Sequence, residues 1–138
     1  MGQPYDLLTG IVHFAAYFGL SLLFLIVFKF LYTMVTPHDE WKLIREDKNA
    51  SAAIGFGGAI LGFAIAVAGA ASNSVTLIDF ATWAAVALIA QLLAFAIIRF
   101  GFMPRIVERI EEGEISAGIM LAATTISVGV LNAACMSY

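Results

Sequence analysis

Residues 52–72 read AAIGFGGAILGFAIAVAGAAS and contain no charged side chain. A helix of about 20 consecutive apolar residues is long enough to cross the hydrocarbon core of a bilayer, which is about 30 Å thick. We therefore predict that this stretch is a transmembrane helix, and the neighbouring segments are interpreted around it.

Three further stretches have the same apolar character. We predict four transmembrane helices at about 9–34, 52–72, 79–100 and 116–136. Hydrophobic residues make up 62% of the sequence and charged residues 12%, with a mean hydropathy of +0.95, whereas soluble domains contain about 25% charged residues. The expected fold is an all-α membrane protein in which residues 1–138 form a single domain, without room for an extramembrane catalytic unit.

Basic residues are confined to two segments, which sets the expected orientation. All seven Lys and Arg residues lie between Lys29 and Lys48 or between Arg99 and Arg109. Because basic residues near span ends are retained on the cytoplasmic side, we expect loops 35–51 and 101–115 in the cytoplasm and both termini on the periplasmic side. The net charge of −3 provides no basic surface, so nucleic acid is not an expected partner. The expected surroundings of the apolar spans are membrane lipids.

A weak internal repeat relates the two halves of the chain. At an offset of 70, Leu22, Leu23, Lys29 and Phe30 match Leu92, Leu93, Arg99 and Phe100. At an offset of 65, Ser51, Ala52 and Ile54 match Ser116, Ala117 and Ile119. Each half is then a span, a loop and a second span, which predicts two parallel two-helix repeats at about 9–72 and 79–136, related by an axis along the membrane normal.

Small residues recur at helical spacing in the second and fourth predicted spans. The second span carries Gly55, Gly58, Gly62, Ala66 and Gly69, and the fourth carries Gly118, Ala122, Thr125, Gly129 and Asn132. Strips of small side chains allow helix backbones to approach closely inside a bilayer. We predict that spans two and four form a tight centre with spans one and three outside; alternatively, the strip meets a neighbouring subunit.

Three imidazole or amide side chains fall within the predicted spans, and these are the candidates for transport. They are His13 and Asn132 in the outer half of the bilayer and Gln91 nearer its middle. One interpretation of His13 is a proton relay, and the other is a packing or interfacial histidine. Gln91 and Asn132 are expected to form hydrogen bonds between helices.

Lys29 and Arg99 occupy equivalent positions of the repeat, near the cytoplasmic ends of spans one and three. Their long side chains are expected to reach the lipid headgroups, and the alternative is that they line a cytoplasmic vestibule for an anion. The loops that follow mix acidic, basic and apolar residues. These loops are expected to lie at the headgroups or to bind a protein partner, and a solvated connector is the simpler alternative.

No arrangement of reactive side chains indicates catalysis. The sequence has no recognisable pairing of a nucleophile with a base, no HExxH pattern and no phosphate-binding glycine loop. Cys135 is the only cysteine, so neither an intramolecular disulfide nor a cysteine-based metal cluster is expected. We predict a protein that is not an enzyme and has no metal site and no cofactor.

Three short segments carry a family resemblance. They are Asn49-Ala50-Ser51-Ala52-Ala53-Ile54, Ile115-Ser116-Ala117-Gly118-Ile119 and Asn132-Ala133-Ala134-Cys135-Met136. Together they resemble, over nearly the whole chain, the bacterial inner-membrane family called domain of unknown function 350, or UPF0719. The second repeat departs from the family pattern because Glu114 stands where Asn is expected. The resemblance implies a location in the bacterial inner (cytoplasmic) membrane and no established activity.

Two functional hypotheses follow. The leading one is a non-enzymatic, self-associating protein that serves as a structural or accessory subunit in envelope maintenance, since small-residue packing dominates and reactive side chains are scarce. The alternative is a small channel or transporter formed by a homo-oligomer, which the repeat and the in-span polar residues favour.

Overall fold

The computed structural model describes residues 7–35, 40–98, 101 and 105–136, and nearly all of these residues are helical. The helices are α1 (Leu7–Val35), α2 (Glu40–Arg45), α3 (Ala50–Asn73), α4 (Leu77–Ile97), α5 (Ile106–Glu111) and α6 (Ile115–Cys135). No strand occurs among the described residues. The predicted all-α fold is confirmed.

Four of the helices, α1, α3, α4 and α6, are long and apolar enough to cross a membrane. They correspond to the four predicted spans, with ends that differ by a few residues. The helix α1 has 29 residues, about 44 Å at 1.5 Å per residue. This exceeds a hydrocarbon core of about 30 Å, so α1 must tilt or extend beyond the core.

Two polar side chains begin α3 and α4. The Oδ1 atom of Asn49 accepts a hydrogen bond from the backbone N–H of Ala52 at 3.0 Å, and the Oγ1 atom of Thr76 accepts one from the N–H of Asp79 at 3.1 Å. The carboxylate of Asp79 also lies in the first turn of α4, where the helix dipole favours negative charge. These caps fix where the two spans begin, because they satisfy amide groups that have no partner within the helix.

The centre of the helix bundle is the α3–α6 pair. Helix α4 packs against both of these helices, whereas α1 packs against α3 and α4. Buried aromatic rings hold the C-terminal half of α1 in place: Phe28 stacks on Phe63 with centroids 4.7 Å apart, and Tyr32 meets Phe95 edge-on at 5.5 Å. The N-terminal half of α1 is mostly exposed.

A long helix, a short helix and a second long helix occur in that order in each half of the chain. Lys48 and Gly113 both have positive φ angles, of 51° and 81°, and each precedes the residue at the N-cap position of the next long helix, Asn49 or Glu114. These positions are related by the same offset of 65 that aligns the sequence repeat. The duplication itself, and the side of the membrane on which the termini lie, remain predictions.

Candidate functional site: the α3–α6 centre and its polar neighbours

The glycines of α3 lie against the backbone of α6. A Cβ atom added to Gly58 would lie 2.5 Å from the Cα atom of Ala122, and one added to Gly69 would lie 2.7 Å from the Cα atom of Ala133. A Cβ atom on Gly62 would lie 2.8 Å from the carbonyl carbon of Thr125. Only glycine fits at these three positions, because the neighbouring atoms belong to backbone and cannot rotate away.

The glycines of α6 lie equally close to the backbone of α3. A Cβ atom on Gly118 would lie 2.9 Å from the Cα atom of Ser51, and one on Gly129 would lie 2.7 Å from the carbonyl carbon of Gly62. Gly55 differs, since its neighbour is the side chain of Leu121, which has rotational freedom. Ala66 is fully buried. The two small-residue strips therefore meet each other within one chain.

Gln91 and Asn132 both bond between α4 and α6. The Nε2 atom of Gln91 donates to the backbone carbonyl of Thr125 at 3.1 Å, and Gln91 is 1% exposed. The Nδ2 atom of Asn132 donates to the carbonyl of Ala87 at 3.4 Å. The Oε1 atom of Gln91 is buried and has no hydrogen-bond partner among the described residues. These two amides link helices through single bonds, each worth about 0.6–2 kcal/mol in a membrane.

His13 lies apart from this pair, on the exposed surface of α1. It lines a depression together with Tyr17 of α1 and Ser72 of α3. The structure therefore places the three polar candidates at two locations: His13 on the α1–α3 side, and Gln91 with Asn132 between α4 and α6.

The Nζ atom of Lys29 lies 4.6 Å from the ring centroid of Phe30, a distance at which a cation interacts favourably with an aromatic face. Arg99, its predicted counterpart, lies outside the described residues. The predicted vestibule lined by both side chains therefore remains a prediction.

Sequence reasoning missed a cluster of polar contacts at the loop end of α3 and α6. The Nδ2 atom of Asn49 donates to the carbonyl of Ile110 at 2.7 Å, and the Oγ atom of Ser51 donates to the carbonyl of Glu114 at 2.6 Å. These bonds connect the start of α3 to the end of α5 and the start of α6. An Asn before an apolar run is a capping signal, but it does not reveal the contact to Ile110.

An ion pair stabilises the turn between α5 and α6. The guanidinium of Arg109 donates to both carboxylate oxygens of Glu114, and the Oγ atom of Ser116 donates to Oε1 of Glu114 at 3.0 Å. These hydrogen bonds, first from Arg109 and then from Ser116, lower the pKa of Glu114 to about 2. The same bond raises the pKa of Arg109. Both side chains are more than one-third exposed, at 38% and 37%, so this pair is screened by water.

Among the described residues no group of three His, Cys, Asp or Glu side chains is arranged to hold a metal ion. Cys135 is exposed at the end of α6 and has a free thiol. The chemistry offered by these residues is hydrogen bonding and close packing.

Comparison with known proteins agrees with this architecture. The family model "Domain of Unknown Function (DUF350)" matches residues 6–136. The chain is 37% identical over 132 residues to the UPF0719 inner membrane protein YjfL of Escherichia coli strain K12, covering 96% of this chain and 98% of the relative; the protein of the same name from Escherichia coli O157:H7 gives the same values. No solved structure matches. With four helices capable of spanning a membrane and a relative that is named as an inner membrane protein, this chain is an integral inner-membrane protein and belongs to the DUF350 (UPF0719) family.

Proposed function

We propose that the protein is a non-enzymatic, self-associating subunit with a structural or accessory role in the bacterial envelope. The observation that carries the proposal is a second, exposed face on α3, formed by Ala53, Gly57 and Leu61 with glycine at its centre, which points away from α6. Ala53 and Gly57 are exposed, and Leu61 is 51% exposed. We call it the outer face of α3.

Gly57 is the central residue of this face. A Cβ atom added to Gly57 would meet nothing within 4 Å, so the fold of a single chain does not require glycine there. Glycine in a helix interior costs about 1 kcal/mol relative to alanine. In a membrane, an open glycine at helical spacing from another small residue allows a second helix to approach closely, which supports contact with another copy.

The interior of the chain also favours a structural role. Gln91 and Asn132 bond to backbone carbonyls of neighbouring helices, and the α3–α6 contact leaves no room for even a methyl group at Gly58. A water-filled path through one chain needs polar groups facing a cavity, whereas these amides are engaged between packed helices. A pore in this protein would therefore require several copies.

Native mass spectrometry of the protein extracted gently from its own membrane tests self-association. We expect a homo-oligomeric mass for the wild type and a monomer for Gly57→Leu, because the added side chain prevents close approach of the second helix. The control is Ala85→Leu, which enlarges an exposed residue of α4 and should leave the oligomer intact. Circular dichroism should show the same helix content for all three proteins, so that loss of the oligomer is not a consequence of misfolding. A monomeric wild type, or an oligomeric Gly57→Leu variant, would contradict self-association through this face.

The envelope role is tested in cells that lack the gene. We expect such cells to lose viability under detergent or osmotic stress, and we expect the wild type and Ala85→Leu to restore growth while Gly57→Leu does not. If Gly57→Leu restores growth as well as the wild type does, the role in the envelope does not depend on self-association through this face. If native mass spectrometry gives a complex that contains another protein, the chain is an accessory subunit of that partner.

A further inference from the structure

A cleft lies between the middle of α1 and the C-terminal half of α3. Its deep part has a volume of about 200 Å³ and is lined by Phe18, Leu22 and Leu25 of α1 with Ala64, Val67 and Ala68 of α3. Ser21 also faces it, but its hydroxyl donates to the carbonyl of Tyr17 at 2.7 Å. The walls of the deep part are therefore apolar.

A second, more open depression lies further along the same two helices and is lined by His13, Phe14, Tyr17, Ala71 and Ser72. We call it the mouth of the cleft, and its polar groups are those of His13, Tyr17 and Ser72. Ser72 is next to Asn73, the last residue of α3. The end of a transmembrane helix lies near the membrane surface, so the mouth is at headgroup level while the deep part extends toward the bilayer centre. Residues 13 to 25 of α1, which line the two depressions, span about 18 Å of helix, close to the hydrocarbon thickness of one leaflet, about 15 Å.

We propose that this cleft is a binding site for one glycerophospholipid, with an acyl chain in the apolar part and the phosphate at His13 and Ser72. An imidazole carries an N–H donor in either neutral tautomer and a serine hydroxyl is also a donor, and phosphate oxygens accept such bonds. The polarity along the cleft thus follows the polarity of a phospholipid from headgroup to tail.

The dimensions favour a lipid over a second copy of the chain as the occupant. A helix with its side chains is about 10–12 Å wide, and a cavity of about 200 Å³ has no space for one. An acyl chain is narrow enough to enter between α1 and α3. The small side chains of Ala64 and Ala68 recess the α3 wall, and both walls belong to one chain, which distinguishes this site from the general lipid-facing surface.

Native mass spectrometry with added palmitoyl-oleoyl phosphatidylethanolamine tests the site. We expect the wild type and Ala85→Leu to retain one phospholipid per chain at activation energies that remove the others. In Ala68→Leu the longer side chain fills the cleft, and the retained fraction should fall about tenfold, which is the effect of losing about two buried CH₂ groups. Equal retention by Ala68→Leu and Ala85→Leu would overturn the proposal.

The headgroup contact has its own test, which also serves if Ala68→Leu fails to fold. His13 is exposed on α1, so His13→Ala should leave the fold unchanged. It should weaken the retention of phosphatidylethanolamine but not of palmitoyl-oleoyl glycerol, which has the same tails and no phosphate. Equal weakening of both lipids, or of neither, would contradict a phosphate at this residue. The outcome is independent of self-association, because the monomeric Gly57→Leu variant should still retain its lipid.

Discussion

The side chain of Asn49 donates a hydrogen bond to the backbone carbonyl of Ile110, 61 residues further along the chain, at 2.7 Å. The other end of the same amide accepts a bond from the N–H of Ala52 and caps α3. Asn49 is 9% exposed, so water has little access to either bond. A single side chain thus begins one transmembrane helix and connects it to the loop before another.

We expect Asn49→Ala to lower the free energy of unfolding by about 2 kcal/mol, since it removes a helix cap worth about 1 kcal/mol and a buried hydrogen bond of similar size. Asn49→Asp keeps the cap but removes the donor, so it should lose at least the stability that the hydrogen bond to Ile110 contributes. Unfolding of the protein in detergent micelles, followed by circular dichroism, gives these values. Asp47→Ala, at an exposed residue nearby, is the control, and an Asn49→Ala variant as stable as this control would refute the role of the bridge.

Two adjacent glycines should respond in opposite directions to the same substitution. Within the single chain, Gly57→Ala should be neutral or stabilise the fold by up to about 1 kcal/mol, because alanine is the better helix former and no atom of the other described helices lies within 4 Å of the added methyl group. Gly58→Ala places a methyl group against the backbone of Ala122, and overpacking of this kind destabilises by about 1–3 kcal/mol or more. Thermal unfolding of the two variants gives the comparison. Similar effects at both positions would mean that α3 and α6 are not in close contact.

Substitution of Gln91 separates a structural role from a transport role. Gln91→Leu removes one bond to Thr125 but also a buried oxygen without a partner among the described residues, so the stability should change by no more than about 1 kcal/mol. Asn132→Leu, which loses a longer bond, should have a still smaller effect. Neither variant should alter ion flux into proteoliposomes. Flux through the wild type that disappears in either variant would favour a channel.

The sequence predicts the spans and their tightest contact because both depend on local periodicity. An uncharged stretch of sufficient length indicates a membrane helix wherever it lies, and a rotation of about 100° per residue places Gly58 and Gly62 on one side of α3 and Gly57 on another. The bridge from Asn49 to Ile110 and the cleft between α1 and α3 depend instead on how distant segments pack. No local sequence pattern indicates how close two distant segments come, so the bridge and the cleft could not be predicted from the sequence.

Acid should weaken the α5–α6 turn through Glu114. Its pKa is lowered to about 2 from an ordinary value of 4.5, so the folded state binds this proton less readily than the unfolded chain does. The contribution of the ionised group to stability is therefore complete above pH 4.5 and is lost as the pH falls toward 2. The unfolding midpoints of the wild type and Glu114→Gln should differ above pH 4.5 and should converge as the pH falls toward 2. The control Glu112→Gln, at an exposed neighbour, should follow the wild type throughout. Parallel curves for the wild type and Glu114→Gln would exclude this linkage.

The orientation in the membrane can be determined with single cysteines in a Cys135→Ser background. Val75, in the turn between α3 and α4, is 80% exposed, and Glu112, between α5 and α6, is exposed as well. Basic residues, Arg105 and Arg109, precede the second turn and are absent from the first, so the first should face the periplasm. A membrane-impermeant maleimide added to cells with a permeabilised outer membrane should label Val75→Cys and should label Glu112→Cys only after the inner membrane is opened. The reverse pattern would invert the topology and place the mouth of the α1–α3 cleft in the cytoplasmic leaflet.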